Sequence, residues 1–306
     1  MMERYEHIIE SKRHLADLPS QDRINICRHD FWIETERLKP FFERLKNILY
    51  TDGQHQVSCM FAHGLGGDGK TAVYERLQVM SSFSSEKMIF VELTESVDRY
   101  TLHEAILVAF GLPLRRNRSA ASLTEAIARV MRAGNIKALV LDELNDALLK
   151  AYSVKRTMLS LLKNLSAKKL KLCVIALGND AAFDIMSIDP AIGRRYVDYT
   201  FPLWEMGEDF VNFISTYVAN LPLRLPSNLA DVKLRTLIFT KSNGIMDNVV
   251  KIIKSFAMDA IATGAEKITP DQFDRMEDIV SLYGYAMTVH QKGEKPELLK
   301  RARYTR

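Results

Sequence analysis

One octapeptide constrains this chain more than any other part of its sequence. Residues 64–71, Gly-Leu-Gly-Gly-Asp-Gly-Lys-Thr, match the phosphate-loop (P-loop) pattern Gly-x-x-x-x-Gly-Lys-Thr. An apolar run, Gln56 to Ala62, precedes the motif and a segment of helical periodicity, Lys70 to Met80, follows it, so the strand–loop–helix context that the motif requires is present. The glycines allow backbone N–H groups to surround phosphates, and Lys70 would reach the β- and γ-phosphates while the Thr71 hydroxyl binds Mg²⁺. The sequence therefore predicts an ATP or GTP site formed by Gly64, Leu65, Gly66, Gly67, Asp68, Gly69, Lys70, Thr71 and Ala72.

Apolar strands alternate with helical segments after this loop. The predicted strands are Met88–Leu93, Ile136–Leu141 and Leu172–Leu177, and the predicted helices are Leu102–Phe110, Ser122–Arg132 and Val154–Leu165. Because strands buried on both faces are apolar throughout, this alternation predicts an α/β fold built on a parallel sheet. After Pro202 the segments with helical patterning are Glu208–Val218, Leu229–Thr240, Ile245–Thr263 and Pro270–Met287.

These changes of character divide the chain into four predicted segments. We expect a helical N-terminal extension (1–50), an α/β nucleotide-binding core (51–202), a helical lid (203–288) and a basic C-terminal tail (289–306). Six basic and two acidic residues between Gln291 and Arg306 leave a net charge of +4, equal to that of the whole chain. Such a tail could contact nucleic acid or an acidic partner, or could remain solvated and disordered.

The composition is that of a folded protein without a membrane partner. A hydrophobic content of 47% is enough for a sizeable core, and no apolar run approaches the roughly 20 residues that cross a bilayer. The first residues lack the apolar core of a signal peptide, so we expect the protein in the cytoplasm. Cys27, Cys59 and Cys173 lack metal-ligand spacing and are expected to be small buried residues.

An acidic pair, Asp142-Glu143, directly follows the apolar run that ends at Leu141. The carboxyl end of a central strand faces the crevice where ligands bind in such sheets. Asp142 is therefore predicted to hold the water shell of Mg²⁺, and Glu143 to orient or deprotonate the attacking water. The alternative is an acidic first turn of a helix, which the helix dipole would also favour.

Two further features could complete a hydrolytic site. Asn179 ends the next apolar strand and could sit between the γ-phosphate and the water, although Gly-Asn-Asp is also ordinary turn chemistry. Arg194 and Arg195 follow a Pro- and Gly-containing stretch and could stabilise transition-state charge from a neighbouring subunit. They could equally be a surface basic pair.

In this order, the motifs resemble those of AAA+ ATPases, and more specifically of the TniB/TnsC family of ATP-dependent transposition regulators. The resemblance covers roughly residues 20 to 270 and implies an AAA+ P-loop NTPase core followed by a small helical lid subdomain. The segments that carry it are Arg23-Ile24, Trp32-Ile33, His63–Ala72, Leu141–Asn145, Ala176–Asn179, Gly193–Tyr196, Phe201–Trp204 and Leu221–Pro226.

The resemblance implies a function and a set of partners. Such proteins bind ATP and Mg²⁺ between adjacent subunits and form rings or helical filaments around double-stranded DNA. They link a target selector, a TniQ-type protein in CRISPR-associated transposons, to the transposase, and hydrolysis disassembles the filament. Ile24, Trp32 and Ile33 would lie near the adenine, although these residues also suit ordinary core packing.

The resemblance also places DNA contacts and shows one departure. The residues expected to contact DNA, either in the pore around it or in basic clusters, are Thr94, Arg99, Arg115, Arg116, Arg118, Lys155 and Arg156. Each of them could instead be a solvated surface residue. The lid stretch Asn243–Asn248 lacks the arginine that many AAA+ proteins place there, so slow or partner-dependent hydrolysis is expected. A role in replication initiation or helicase loading, and a nucleotide-gated scaffold with negligible turnover, remain as alternatives.

Overall fold

The computed structural model describes residues 4–49, 57–84, 87–93, 102–112, 120–148, 152–167 and 170–289 of the chain. Thr94, Arg99, Arg115, Arg116, Arg118 and the basic tail from residue 290 onward lie outside the described residues.

Five parallel strands form a single sheet with the order β2-β3-β4-β1-β5. The strands are β1 (Cys59–His63), β2 (Lys87–Glu92), β3 (Ile136–Asp142), β4 (Cys173–Gly178) and β5 (Tyr196–Thr200). Every residue of β1 and β4 is buried, as expected for central strands covered on both faces. The parallel sheet confirms the α/β prediction.

Alternate residues of each strand enter two separate cores, because successive side chains of a strand point to opposite faces. Phe61 of β1 and Leu139 of β3 belong to one core, and their neighbours Met60 and Val140 belong to the other. The helices that contribute to the first core are α4 (Leu102–Ala109), α5 (Ala120–Ala133), α6 (Leu144–Leu148), α7 (Tyr152–Leu165), α8 (Asp180–Ser187) and α9 (Pro190–Gly193). Those that contribute to the second core are α2 (Lys39–Leu49) and α3 (Lys70–Phe83).

Spatial proximity groups the chain into two units. Residues 30–213 form the unit that contains the sheet, and residues 4–29 group with residues 214–289 in a helical unit. The predicted four-segment division did not include this grouping of the N-terminal residues with the last helices. The remaining helices are α1 (Ser20–Cys27), α10 (Glu208–Ala219), α11 (Val232–Ser242), α12 (Met246–Thr263) and α13 (Met276–Leu282), and three 3₁₀ helices cover Glu10–Asp17, Glu36–Leu38 and Pro270–Arg275.

Helix α12 is the centre of the helical unit, and α1 lies directly against it. Twelve of its eighteen residues are buried, so α12 is enclosed on most sides rather than exposing one polar face. Lys254 of α12 is also buried, and its ammonium group donates a hydrogen bond to the Arg28 carbonyl at 2.9 Å. The N-terminal residues are therefore part of this unit's core.

The structure corrects two predicted helices and adds a strand. The predicted helix Pro270–Met287 is a 3₁₀ helix followed by α13, which ends at Leu282. The predicted helix from Leu229 begins instead at Val232, because the Asp231 carboxylate caps it by accepting a hydrogen bond from the Lys233 amide. Strand β5 was not predicted, since its Tyr-Val-Asp-Tyr-Thr sequence lacks a continuous apolar run.

The described residues include no helix long and apolar enough to cross a membrane. All three cysteines are free and buried, which confirms their predicted character as small interior residues.

Candidate active site

The P-loop connects the end of β1 to the start of α3 through two left-handed glycines. Gly67 has a φ of 79° and Gly69 a φ of 103°, a region that only glycine adopts without strain. Gly69 directly precedes Lys70, the first residue of α3, so the backbone turns sharply into the helix N-terminus. Free N–H groups at such a terminus, together with the helix dipole, favour bound phosphate.

Gly64 has no room for a side chain, because the Asp68 carboxylate folds directly beneath it. A Cβ at residue 64 would lie 2.1 Å from Asp68 Oδ2 and 3.2 Å from Phe201 Cβ. The Asp68 side chain is 1% exposed, and its Oδ2 has no hydrogen-bond partner among the described residues. Burial raises the pKa of Asp68, although the neighbouring Lys70 ammonium opposes that shift.

The ammonium group of Lys70 is held by oxygens of its own loop. It donates hydrogen bonds to the Gly64 carbonyl (3.1 Å), the Leu65 carbonyl (2.8 Å) and Asp68 Oδ1 (2.9 Å). Lysine has three N–H donors, so all of them are used within the loop. A nucleotide phosphate must therefore take over these donors from the loop oxygens.

Thr71 and Ala72 form the first turn of α3, and both are exposed. The Thr71 side chain is thus exposed beside the loop, and its role as a ligand of Mg²⁺ stays a prediction.

Arg37, which sequence reasoning did not identify, braces the P-loop from the N-terminal side of the chain. Its guanidinium donates to the Asp68 carbonyl at 2.9 Å and to the Pro202 carbonyl at 2.7 Å. It also lies 4.4 Å from the centre of the Trp204 ring, a cation–π distance. Burial lowers its pKa to about 10, although the charge of Asp68 opposes this shift, so Arg37 is still protonated at pH 7.

The backbone at Arg37 is fixed as well. The carboxylate of Asp209, in the first turn of α10, accepts hydrogen bonds from the amides of Glu36 (3.1 Å) and Arg37 (3.2 Å). Asp209 thus connects the first turn of α10 to the 3₁₀ helix that carries Arg37. No sequence pattern connects residues so far apart, so this contact could be found only in the folded chain.

Asp142 and Glu143 lie at the end of β3, with β4 between them and the P-loop strand. Asp142 Oδ1 accepts a hydrogen bond from the Glu143 amide at 2.9 Å. Burial, together with the charges of Glu143 and Glu92, raises the pKa of Asp142 to about 6, although the hydrogen bond from the Glu143 amide and the charge of Lys70 oppose this shift. Asp142 is consequently mostly ionised at pH 7. It lies close enough to Lys70 for the ammonium charge to lower its pKa.

Glu143 has a strained backbone and an oriented side chain. Its φ of 53° is unusual for a residue other than glycine and costs of order 1 kcal/mol or more. Its carboxylate accepts a hydrogen bond from the Asn145 side-chain amide at 3.0 Å. Strain of this kind persists where the surrounding structure imposes it, and it is concentrated at functional sites.

Asn179 and Arg195 each form a hydrogen bond within the chain, whereas Arg194 is exposed. Asn179 Oδ1 accepts a hydrogen bond from the Ala182 amide at 2.9 Å and so caps α8. The side-chain NH₂ group of Asn179 is then the part that could donate to a phosphate. Arg194 is exposed, whereas Arg195 is half-buried and donates to the Lys163 carbonyl at 2.6 Å. Arg194 is therefore the freer of the two arginines to reach another subunit.

The predicted adenine-side residues fall into different units. Ile24 belongs to α1 of the helical unit, and Trp32 and Ile33 belong to the unit that contains the sheet. All three are partly exposed. Trp32 packs edge-on against Phe42 with ring centres 6.0 Å apart, so part of the Trp32 ring contributes to core packing. Their place beside the adenine stays a prediction.

Of the predicted DNA contacts, only Lys155 and Arg156 lie within the described residues. Both are in the first turns of α7, where Lys155 is half-buried and Arg156 is exposed.

Sheet order, P-loop and acidic pair together define a P-loop ATPase of the AAA+ class. Similar solved structures include the ORC2 protein of Aeropyrum pernix in its ADPNP-ADP complexes (TM-score 0.64, 16% identity, 87% of this chain and 72% of that chain). They also include the A. pernix ORC1 protein in complex with DNA (0.62, 17%, 83% and 68%) and Cdc6p of Pyrobaculum aerophilum (0.61, 16%, 84% and 70%). At these identities the likeness is one of fold.

The family follows from the sequence. Residues 23–206, more than half of the chain, match the family described as "Bacterial TniB protein", so this AAA+ ATPase belongs to the TniB family. A comparison with curated protein sequences finds no match. The family assignment confirms the predicted resemblance.

Proposed function

We propose that this protein is an ATP-dependent regulator of transposition that assembles on double-stranded DNA. It would link a TniQ-type target selector to the transposase and leave the DNA after ATP hydrolysis. The match of residues 23–206 to the TniB family, in a chain that also holds a P-loop and the Asp142–Glu143 pair, carries this proposal. In a CRISPR-associated transposon, this selector would be an RNA-guided complex with a TniQ-type protein.

Nucleotide binding would begin with a transfer of donors. Lys70 releases the Gly64, Leu65 and Asp68 oxygens and donates to the β- and γ-phosphates instead. The phosphates carry more charge than the two loop carbonyls and would compete for these donors, while the buried Asp68 carboxylate would lose the Lys70 ammonium as its partner. Arg37 meanwhile holds the backbone carbonyl of Asp68, so the loop keeps its shape when Lys70 moves.

The residues present fit a magnesium ion beside the phosphates. Mg²⁺ usually takes one or two protein oxygens together with waters and phosphate oxygens, and Thr71 and Asp142 would supply these two. When bound, the ion would neutralise charge on the phosphates.

Glu143 would act as the general base. Its carboxylate, oriented by the Asn145 amide, would accept the proton of a water that attacks the γ-phosphorus. The bond from the γ-phosphorus to the β–γ bridging oxygen breaks as the new bond forms, and ADP and phosphate leave. The Asn179 amino group would donate to the γ-phosphate or the water, and Arg194 from a neighbouring subunit would stabilise the charge that develops. The lid stretch Asn243–Asn248 contributes no arginine, which is why we expect slow turnover in the absence of partners.

Two variants separate assembly from hydrolysis. With a non-hydrolysable ATP analogue and duplex DNA, the native protein should form oligomers visible by electron microscopy. Lys70→Ala should form none, and Glu143→Gln should form oligomers in ATP that persist, with phosphate release lowered about 10²- to 10⁴-fold. Lys46→Ala, an exposed lysine on α2, is the matched control and should behave as the native protein. Absence of DNA-bound oligomers of the native protein at low salt would exclude the proposal.

DNA binding through phosphates would depend steeply on salt. Replacing both Lys155 and Arg156 by alanine removes two positive charges, so the slope of log K against log[salt] should become shallower by about 2. An unchanged slope would exclude these residues from the DNA contact.

The fold favours one second candidate, a role in replication initiation or helicase loading. The similar structures include the ORC2 and ORC1 proteins of Aeropyrum pernix, the second of them solved in complex with DNA. ATP-dependent strand separation of duplex DNA, measured with a fluorophore–quencher pair, would favour this candidate over transposition.

A further inference from the structure

His63, the last residue of β1, holds two carboxylates at the edge of the P-loop. Its Nδ1 lies 2.6 Å from Asp180 Oδ1, and its Nε2 lies 2.8 Å from Asp198 Oδ1. Ionised carboxylates only accept hydrogen bonds, and a neutral imidazole has only one N–H. Both ring nitrogens must therefore carry a proton, which makes His63 an imidazolium bridging two acidic side chains.

The surroundings of the ring keep it in this position. The His63 side chain is 8% exposed and stacks on Phe183, with ring centres 4.3 Å apart, and on Phe61 at 5.7 Å. The charged groups facing it are Asp180 on α8 and Asp198 on β5, and the Thr200 hydroxyl lies 3.4 Å from Nε2. Although burial alone would lower it, the two carboxylates raise the pKa of His63 to about 9.

The bridge joins two parts of the candidate active site. Asp180 is the first residue of α8 and directly follows Asn179, the cap of that helix. His63 directly precedes Gly64 and is in register with Gly178, the last residue of β4. A Cβ on Gly178 would lie 3.1 Å from the Phe61 ring, so the ends of β1 and β4 approach closely here.

We propose that His63 is a positioning residue for ATP hydrolysis, which sets the place of Asn179 relative to the P-loop through its bridge to Asp180 and Asp198. This inference rests on the proposed role of Asn179 at the γ-phosphate. In this role His63 would act through Asp180 and Asp198 and not by contact with the nucleotide or the water. Its loss should therefore change turnover more than nucleotide binding.

The decisive variant is His63→Phe, which keeps an aromatic ring for the stack and removes both donors. We expect kcat for ATP to fall about tenfold, while the Kd of a fluorescent non-hydrolysable ATP analogue changes less than threefold. Asp180→Asn retains the imidazole, disturbs one of the two bridges and should give a smaller loss of kcat. Asp184→Asn removes the same charge from an exposed position of the same helix and should leave kcat unchanged.

A double-mutant cycle with Asn179→Ala tests whether His63 affects kcat through Asn179. If His63 acts through Asn179, adding His63→Phe to Asn179→Ala should lower kcat no further. The native kcat should also decline as the pH rises through about 9, and this decline should be absent from His63→Phe.

Three results would overturn the inference. Unchanged kcat in His63→Phe, or an equal loss of kcat with and without Asn179, would refute it and leave the proposed role of Asn179 intact. Native turnover in Asn179→Ala alone would refute both the role of Asn179 and the inference built on it.

Discussion

The fully buried arginine of the helical unit offers the sharpest test of the structural reasoning. The Arg23 guanidinium forms a two-pronged ion pair with Glu266, at 2.6 Å and 2.7 Å, and donates to the Pro222 carbonyl at 3.1 Å. Arg23 is 0% exposed, and the Glu266 side chain is 13% exposed. The pair therefore ties α1 to the loop that follows α12, with little screening by water.

The size of the effect of Arg23→Met follows from these contacts. Removing one partner of a buried ion pair costs about 3–5 kcal/mol, because the other charge stays buried without compensation. Glu266 keeps some solvent contact and the Arg224 amide at 3.3 Å, which places the expected loss near the lower limit, at about 3 kcal/mol. For a chain of this size that corresponds to a fall in Tm of roughly 6–12 °C.

Thermal unfolding followed by circular dichroism would measure this loss. Arg235→Met, at a half-buried position of α11 in the same unit, is the matched control and should change stability by less than about 0.5 kcal/mol. Adding Glu266→Leu to Arg23→Met should recover part of the stability, since the unpaired carboxylate is then gone.

The same pair predicts a dependence on pH. Partial burial raises the pKa of Glu266, but hydrogen bonds from Arg23 and Arg224 and their charges outweigh burial and lower it overall. A lowered pKa stabilises the fold above the unfolded pKa, and this stabilisation is lost as the pH falls through the folded pKa. Arg23→Met should therefore lose less stability than the native protein on acidification. A Tm for Arg23→Met within 2 °C of the native value, or no recovery in the double variant, would refute the reasoning.

Three further predictions concern the P-loop and its neighbours. Arg37→Lys should weaken binding of an ATP analogue severalfold in a fluorescence titration, because the compact ammonium lacks the planar, forked donors and the flat face with which the guanidinium reaches both carbonyls and covers Trp204. Unchanged affinity would contradict the role of Arg37 in bracing the P-loop. Gly64→Ala should weaken binding of the ATP analogue at least tenfold, because the added Cβ would displace the Asp68 carboxylate. Adding Asp68→Ala should restore part of the affinity. No recovery in the double variant would show that a contact with Asp68 is not the cause of the loss. Because the pKa of His63 is raised in the folded state, its protonation stabilises the fold fully below about pH 6.5, and this stabilisation should disappear as the pH rises through about 9. We expect a gain of about 1–2 kcal/mol, since water screens the half-exposed carboxylates of Asp180 and Asp198. Urea unfolding at about pH 6.5 and about pH 9 should detect the difference, and an equal difference in His63→Phe would show that His63 is not its source.

The sequence alone determined the features that depend on local patterns. The P-loop motif between a strand and a helix, the buried apolar strands β3 and β4, and the order of motifs typical of AAA+ ATPases were all readable, and the fold and the family match agree with them. These features are encoded in residues close together in the chain, where hydrogen bonding and burial impose a period of two or 3.6 residues. Strand β5 escaped prediction because its polar residues break that pattern, and it is held by pairing with β1.

Only the tertiary structure decided which distant residues meet. Arg37 and the P-loop carbonyl of Asp68 are brought together by folding, as are His63 with Asp198 and Arg23 with Glu266. A charged side chain can enter such a buried position only where a partner compensates for its lost hydration, and that partner can come from any part of the chain. The motif thus predicts where phosphate would bind, whereas the fold determined which residues brace the loop.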